Sequence, residues 1–193
     1  MRIIGGRLRG LKLADPGAGD PAAHLRPTTD RVREAIFNLL VNGAAGNPVP
    51  GARVLDLFAG TGALGLEALS RGAARVSFVD DGAVARALLR SNIERARAMG
   101  VTDVWRRDAT RLGVNRGAPY DLVLLDPPYG QGLGEAAIGS ALAGGWIAPG
   151  ATVVWEDALP PPPIAGLAVL DQRRYGDTVL TLLRADPAPA PRP

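Results

Sequence analysis

The segment Val54-Leu55-Asp56-Leu57-Phe58-Ala59-Gly60-Thr61-Gly62-Ala63-Leu64-Gly65 constrains the fold more than any other part of the chain. An apolar run that passes through glycines straight into a helical pattern is the strand-turn-helix opening of an α/β nucleotide-binding sheet. Gly60 and Gly62 let the backbone turn tightly and approach a ligand closely. Gly60, Gly62 and Gly65 also match the G-x-G-x-x-G spacing of dinucleotide sites, so spacing alone leaves a pyrophosphate in play. Asp56 argues against it. A carboxylate just ahead of the loop repels a pyrophosphate and suits a cation such as the amino-acid end of S-adenosylmethionine. Asp80 lies 20 residues beyond Gly60, at the end of the next apolar run. There it can accept hydrogen bonds from a ribose diol.

Around this loop the pattern alternates. Strands are expected over 53–57, 75–79, 101–105, 120–125 and 151–156, and helices over 64–70, 83–98 and 134–142. Two further strands, 168–174 and 178–184, flank a tight turn at Tyr175-Gly176-Asp177. Such alternation, closed by a hairpin, predicts a mostly parallel sheet with one antiparallel strand inserted near its end. Ahead of it, Thr28 or Thr29 caps a helix with Val32, Ile36, Leu39 and Leu40 on one face. At the start, 2–4 and 8–13 read as the strands of a basic hairpin turning at Gly5-Gly6. The expected organisation is a basic hairpin and loop over 1–24, a catalytic domain over 25–184 and a disordered Ala/Pro tail over 185–193.

A second motif carries chemistry. Asp126-Pro127-Pro128-Tyr129 follows the strongly apolar strand 120–125. The prolines fix the backbone and remove two donors. The Asp126 carboxylate and the Pro127 carbonyl can each accept one hydrogen of a planar amine, aiming its lone pair at a methyl donor. Tyr129 offers a face on which a base stacks. Asp108, after the third strand, is placed either to accept an adenine amine or to cap the short helix that follows it.

Composition narrows the alternatives. The 193 residues include no cysteine and one histidine, His24. Thiolate chemistry and disulfides are excluded, and no metal is expected. Residues 1–9 lack the apolar core of a signal peptide, and no run is long enough to span a bilayer, so the expected location is the cytoplasm. Net charge is only +3, but Arg2, Arg7, Arg9 and Lys12 fall in a stretch without acids, and eight arginines lie between 86 and 116. The first group is a candidate surface for RNA phosphates.

Asp126-Pro127-Pro128-Tyr129 is similar to the catalytic motif of amino-methyltransferases acting on adenine, cytosine or guanine. Taken with Arg2-Ile3-Ile4-Gly5-Gly6, Arg9-Gly10, the run Arg26 to Phe37, the run Asp56 to Arg71 and Tyr175-Gly176-Asp177-Thr178, the chain resembles the bacterial 16S rRNA guanine-N2 methyltransferase family over residues 1–184. The resemblance implies a Rossmann-like class I methyltransferase with a seven-stranded sheet, an antiparallel C-terminal strand and a small N-terminal β-hairpin. It implies transfer of a methyl group from S-adenosylmethionine to one guanine N2 of 16S rRNA in a partly assembled 30S particle; a monomer is expected. The cofactor set is Asp56, Phe58, Ala59, Gly60, Thr61, Gly62 and Asp80, extended by Asp81, Asp108, Thr28 and Arg31. Asp126, Pro127, Pro128 and Tyr129 form the catalytic set, and Arg2, Arg7, Arg9 and Lys12 the RNA-binding set. One departure stands out. The family carries a second acid two positions after the ribose-binding one, and this chain has Gly82 there. Either Asp81 takes its place or the contact is lost. Two other functions remain open: methylation of an amine in DNA or another RNA, and nucleic-acid binding without catalysis.

Overall fold

The computed structural model describes residues 1–14 and 29–187. Thr28, His24, the expected loop 15–23 and most of the expected tail, 188–193, lie outside them. A seven-stranded sheet runs through the described part in the order β3-β2-β1-β4-β5-β7-β6. Its strands are β1 (Arg53–Leu57), β2 (Arg75–Val79), β3 (Thr102–Trp105), β4 (Tyr120–Leu125), β5 (Ile147–Asp157), β6 (Leu167–Tyr175) and β7 (Thr178–Ala185). The first five pair in parallel, and β7 is inserted antiparallel between β5 and β6. Strand β1 sits at the point where the chain switches from winding towards β3 to winding towards β5, which is where open α/β sheets form their ligand crevice.

Among the described residues four α-helices cover the two faces: α1 (Asp30–Asn42), α2 (Ala63–Ser70), α3 (Ala83–Arg95) and α4 (Leu133–Ala143). Thr29 caps α1, its hydroxyl accepting from the Val32 amide. Val32, Ile36, Phe37 and Leu40 of α1 pack with α2, α3 and Val54, Leu124, Val154 and Leu182 in one core. The opposite core joins α4 to Leu55, Val123 and Val153, with Trp146 stacked on Tyr120. Every residue of α2 is buried. Gly65 explains how so tight a helix fits: a Cβ there would stand 2.4 Å from the Phe78 ring.

The N-terminal segment folds back on itself as the expected hairpin, but its turn differs. Only Arg2 and Lys12 form an antiparallel bridge, and a 3₁₀ turn over Gly6–Leu8 replaces the Gly5-Gly6 turn and the second strand. The two arms still bond to each other, the Ile3 amide donating to the Leu11 carbonyl, Gly10 to Ile3 and Leu13 to Met1, and the turn between them is tied to a helix. Ile4 and Gly5 amides donate to Glu67, and the Leu8 amide donates to Ser70, both on α2. Helix α3 also ends earlier than expected, with Arg97 just beyond it at φ 51°.

Candidate active site

The parallel register builds the site. Leu57 pairs with both Val79 and Leu125, and Leu125 pairs with Trp155. The residues next in sequence therefore share one edge of the sheet: Asp80 after β2, Phe58 after β1, Asp126 after β4 and Glu156 on β5.

The loop after β1 is held from two sides. The Gly65 amide, in the first turn of α2, donates to Asp56 Oδ2 at 2.9 Å. The Gly60 amide donates to Asp80 Oδ2 at 2.8 Å, and the Gly82 amide to Asp80 Oδ1 at 2.8 Å. Within it, Phe58 sits at φ 58°, a left-handed conformation that costs a non-glycine residue roughly 1–3 kcal/mol and persists where surroundings fix it. Gly60 and Gly62 take φ values of 55° and 79°. Ala59, Thr61 and Gly62 are buried beneath the loop surface. The Thr61 carbonyl accepts from the Asn92 side chain on α3.

Electrostatically the crevice is short of positive charge. Burial raises the Asp56 carboxyl well above its ordinary range, the Gly65 bond opposes this, and nearby Asp126 and Asp80 raise it further. Asp80 is also raised, chiefly by burial, against its two backbone bonds. A bound cation removes that deficit. Within the loop Phe58 and Gly60 are partly exposed, and Asp80 presents a carboxylate at the strand end. These residues fit S-adenosylmethionine, a sulfonium with a ribose.

The other expected cofactor residues fall in less central places. Asp81 is exposed, and the position of the missing second acid is used differently: Gly82 orients Asp80 through its amide, and a Cβ there would press to 3.1 Å from Asp80 Oδ1. Asp108 caps the 3₁₀ turn Ala109–Arg111, accepting from the Thr110 amide and hydroxyl, and those bonds lower its carboxyl. Arg31 is exposed in the first turn of α1 and lines a groove with Asp171, Arg173 and Tyr175. Thr28 lies outside the described residues.

In the second motif Pro127 is buried, Pro128 exposed, and Asp126 and Tyr129 half-buried. The Tyr129 hydroxyl lies 3.1 Å from Glu156 Oε1 and 3.1 Å from Thr178 Oγ1. Sequence reasoning passed over Glu156 and Thr178. The available signal was an acid ending the apolar run 151–155, in the manner of Asp80 and Asp126. It also passed over Glu67, Arg33 and Asn92, buried polar residues that fasten the N-terminal segment. Arg33 shares the apolar stripe of α1 with Ile36, Phe37 and Leu40, and Glu67 is the one acid in α2. Arg2, Arg7, Arg9 and Lys12 are all exposed on that fastened segment.

A sheet of this order with one reversed strand, a glycine loop after β1 and an acidic crevice beside an Asp-Pro-Pro-Tyr turn defines a class I S-adenosylmethionine-dependent methyltransferase. Comparison with known proteins agrees. The chain matches, over residues 1–184, the family model described as "Conserved hypothetical protein 95". It is 41% identical over 157 residues to ribosomal RNA small subunit methyltransferase D of Escherichia coli K12, covering 81% of this chain and 74% of that one. The Haemophilus influenzae protein of the same name is 36% identical over 163 residues, covering 81% and 78%. A solved Escherichia coli structure, 35% identical, superposes with a TM-score of 0.80 over 97% of this chain and 98% of that one. The chain belongs to this family, that of the ribosomal RNA small subunit methyltransferase D proteins.

Among the described residues no helix is long and apolar enough to cross a membrane. Among them, too, no group of three or more His, Asp or Glu side chains is arranged to hold a metal ion.

Proposed function

We propose that this chain methylates the exocyclic N2 of one guanine in 16S rRNA, in the cytoplasm, as a monomer acting on a partly assembled 30S particle. The observation that carries the reading is the convergence of Asp56, Asp80 and Asp126 on one crevice at the β1 switch point. Residues 1–24 serve as the RNA-contacting arm and 25–184 as the transfer domain.

S-adenosylmethionine, when bound, supplies an electrophilic methyl group. Asp80 binds its ribose, and the 58–62 loop and Asp56 favour its positive charge. Asp81, Asp108, Thr28 and Arg31 complete the cofactor set in this reading. The Asp126 carboxylate and the Pro127 carbonyl accept the two hydrogens of the guanine amine. That bonding points the nitrogen lone pair and prevents the amine from rotating. The nitrogen would bond to the methyl carbon as the S–CH3 bond breaks and the thioether leaves; the Asp126 carboxylate meets the positive charge that develops on nitrogen, which is discharged when one N–H proton is lost. Pro128 stiffens the turn, and the Tyr129 ring stacks on the base after it leaves its helix.

The test is methylation of free 16S rRNA and of 30S particles from a strain lacking the gene, with the product mapped by mass spectrometry. A single guanine carrying an N2 methyl group is expected, with the particle preferred. A methylated adenine or cytosine would overturn the base assignment. The arm is tested by replacing Arg2, Arg7, Arg9 and Lys12 with Gln. Deletion is unsuitable because Ile3 and Leu13 belong to the core. The slope of log affinity against log salt should fall by up to about 3, as four lost phosphate contacts require. An unchanged slope would make these charges a solvated edge.

A further inference from the structure

Three segments distant in sequence meet at one phenol. Tyr129 comes from the turn after β4, Glu156 from the end of β5, and Thr178 from the first position of β7. Glu156 is 4% exposed and Thr178 5% exposed. Thr178 pairs with Tyr175 across the β6–β7 turn, where Gly176 takes φ 62°. The turn thus delivers a hydroxyl to the neighbourhood of the Asp-Pro-Pro-Tyr motif.

The motif needs such an anchor. Pro127 and Pro128 have no amide hydrogen, so two consecutive positions cannot donate a backbone hydrogen bond. Burying a carboxylate at Glu156 is costly unless it is hydrogen-bonded, and the Tyr129 hydroxyl supplies one such bond. Burial also pushes the Tyr129 hydroxyl above its ordinary range, with the Thr178 bond opposing and the Glu156 and Asp126 charges adding to it. The phenol therefore keeps its proton and donates throughout the physiological range.

We propose that Glu156 and Thr178 are positioning residues for methyl transfer. They hold the Tyr129 hydroxyl and so fix the ring and the adjoining Asp126 in one arrangement. The inference rests on the assignment of Asp126 to Tyr129 as the site that receives the base. It gives the Tyr175 to Thr178 turn a task in catalysis.

Single-turnover methyl transfer, calorimetric cofactor affinity and thermal unfolding test it on one set of variants. Tyr129→Phe keeps the ring and removes both bonds, and transfer should slow about tenfold. Thr178→Val and Glu156→Gln should each slow it about three- to tenfold, the scale of one hydrogen bond. Cofactor affinity should stay within about twofold in all three. Thr178→Ser should restore the rate because it restores the hydroxyl. Tyr129→Phe combined with Thr178→Val should be no slower than Tyr129→Phe alone, since both remove the same bond. Fully additive losses in that pair, or wild-type rates in Tyr129→Phe and Thr178→Val, would overturn the brace. Tyr129→Ala separates the two levels of the argument. A slow Tyr129→Ala beside a normal Tyr129→Phe removes the brace and leaves the site, whereas a normal Tyr129→Ala removes the site assignment itself. Should Glu156→Gln fail to fold, the Thr178→Val and Thr178→Ser pair decides alone.

Discussion

Asp56 and Glu67 stand eleven positions apart, on the strand and the helix of one strand-turn-helix unit, and both are buried to within 1% of complete. Their surroundings are opposite. Glu67 accepts from the Ile4 and Gly5 amides at 2.8 Å each and from Arg71 Nε at 2.7 Å, with Arg33 Nε at 3.7 Å. Asp56 accepts from the Gly65 amide and lies near the like charges of Asp126 and Asp80. One acid has been satisfied by folding, and its charge is spent on fastening the N-terminal segment. The other sits among like charges in a crevice. Burial alone therefore does not mark a functional acid; the sign of its neighbours does.

The largest effect should come from the satisfied acid. Glu67→Ala takes the acceptor from the Ile4 and Gly5 amides and from Arg71 Nε, and removes the buried ion pair with Arg33. Loss of one partner of a buried pair costs about 3–5 kcal/mol, so the midpoint of urea unfolding should drop sharply. Cofactor affinity of the folded fraction should be little changed. If Glu67→Ala unfolds like the wild type, the contrast with Asp56 collapses, because Glu67 would then contribute no more than a surface ion pair.

Asp126→Asn should do the reverse. It keeps the shape, removes the charge and can turn a donor towards the amine. Single-turnover methyl transfer should fall at least roughly 100-fold, the scale of a lost transition-state contact, while unfolding and cofactor affinity move little. Cofactor affinity and rate lost together would place Asp126 in the cofactor site instead.

Asp80 should fall between the two. Its oxygens hold the Gly60 and Gly82 amides and still present a carboxylate at the strand end. Asp80→Ala should weaken cofactor binding by roughly 1.5–3 kcal/mol, about ten- to hundredfold, the worth of charged hydrogen bonds. Calorimetric affinity equal to wild type would remove Asp80 from the ribose site.

Much of this was legible in the sequence because it depends on local patterns. The run 54–65 carries strand, glycine turn and helix in one stretch, and Asp80 and Asp126 end apolar runs, so their shared edge follows from parallel pairing. The inserted β7 was readable from the Tyr175-Gly176-Asp177 turn. What escaped were partnerships between residues far apart in the chain. Glu67 bonds Ile4, Asn92 bonds Ala14 and Thr61, and Tyr129 bonds Glu156 and Thr178. No periodicity encodes such pairs. The N-terminal hairpin was legible, but not that the Ile4, Gly5 and Leu8 amides at its turn go to α2, which a strand pattern cannot reveal.

The smallest effect, and the one that most sharpens the contrast, is a dependence on pH. In the free protein the Asp56 carboxyl is raised well above its ordinary range, mainly by burial and then by Asp126 and Asp80, and Asp80 is raised as well. A cation bound in the crevice favours the ionised forms and lowers both. Binding must then release protons wherever the free protein holds them and the complex does not. Affinity for S-adenosylmethionine should therefore weaken as the pH falls from about 7 into the raised carboxyl range, by at most about tenfold per pH unit for each proton released. The ligand's own amine, with an ordinary pKa of about 7.7–8.0, stays charged over this window and adds little. Stability of the free protein should move the other way. A folded-state carboxyl pKa above the unfolded value means the folded chain binds the proton more tightly, so Asp56 and Asp80 favour folding as the pH falls through that range. Calorimetry in two buffers of different ionisation enthalpy counts the protons directly. Asp56→Asn, which has no proton to lose, should flatten the affinity profile to the part that Asp80 supplies. A wild-type affinity that stays flat as the pH falls from neutrality to the ordinary carboxylate range, with no proton release, would show that Asp56 is as fully satisfied by the fold as Glu67 is.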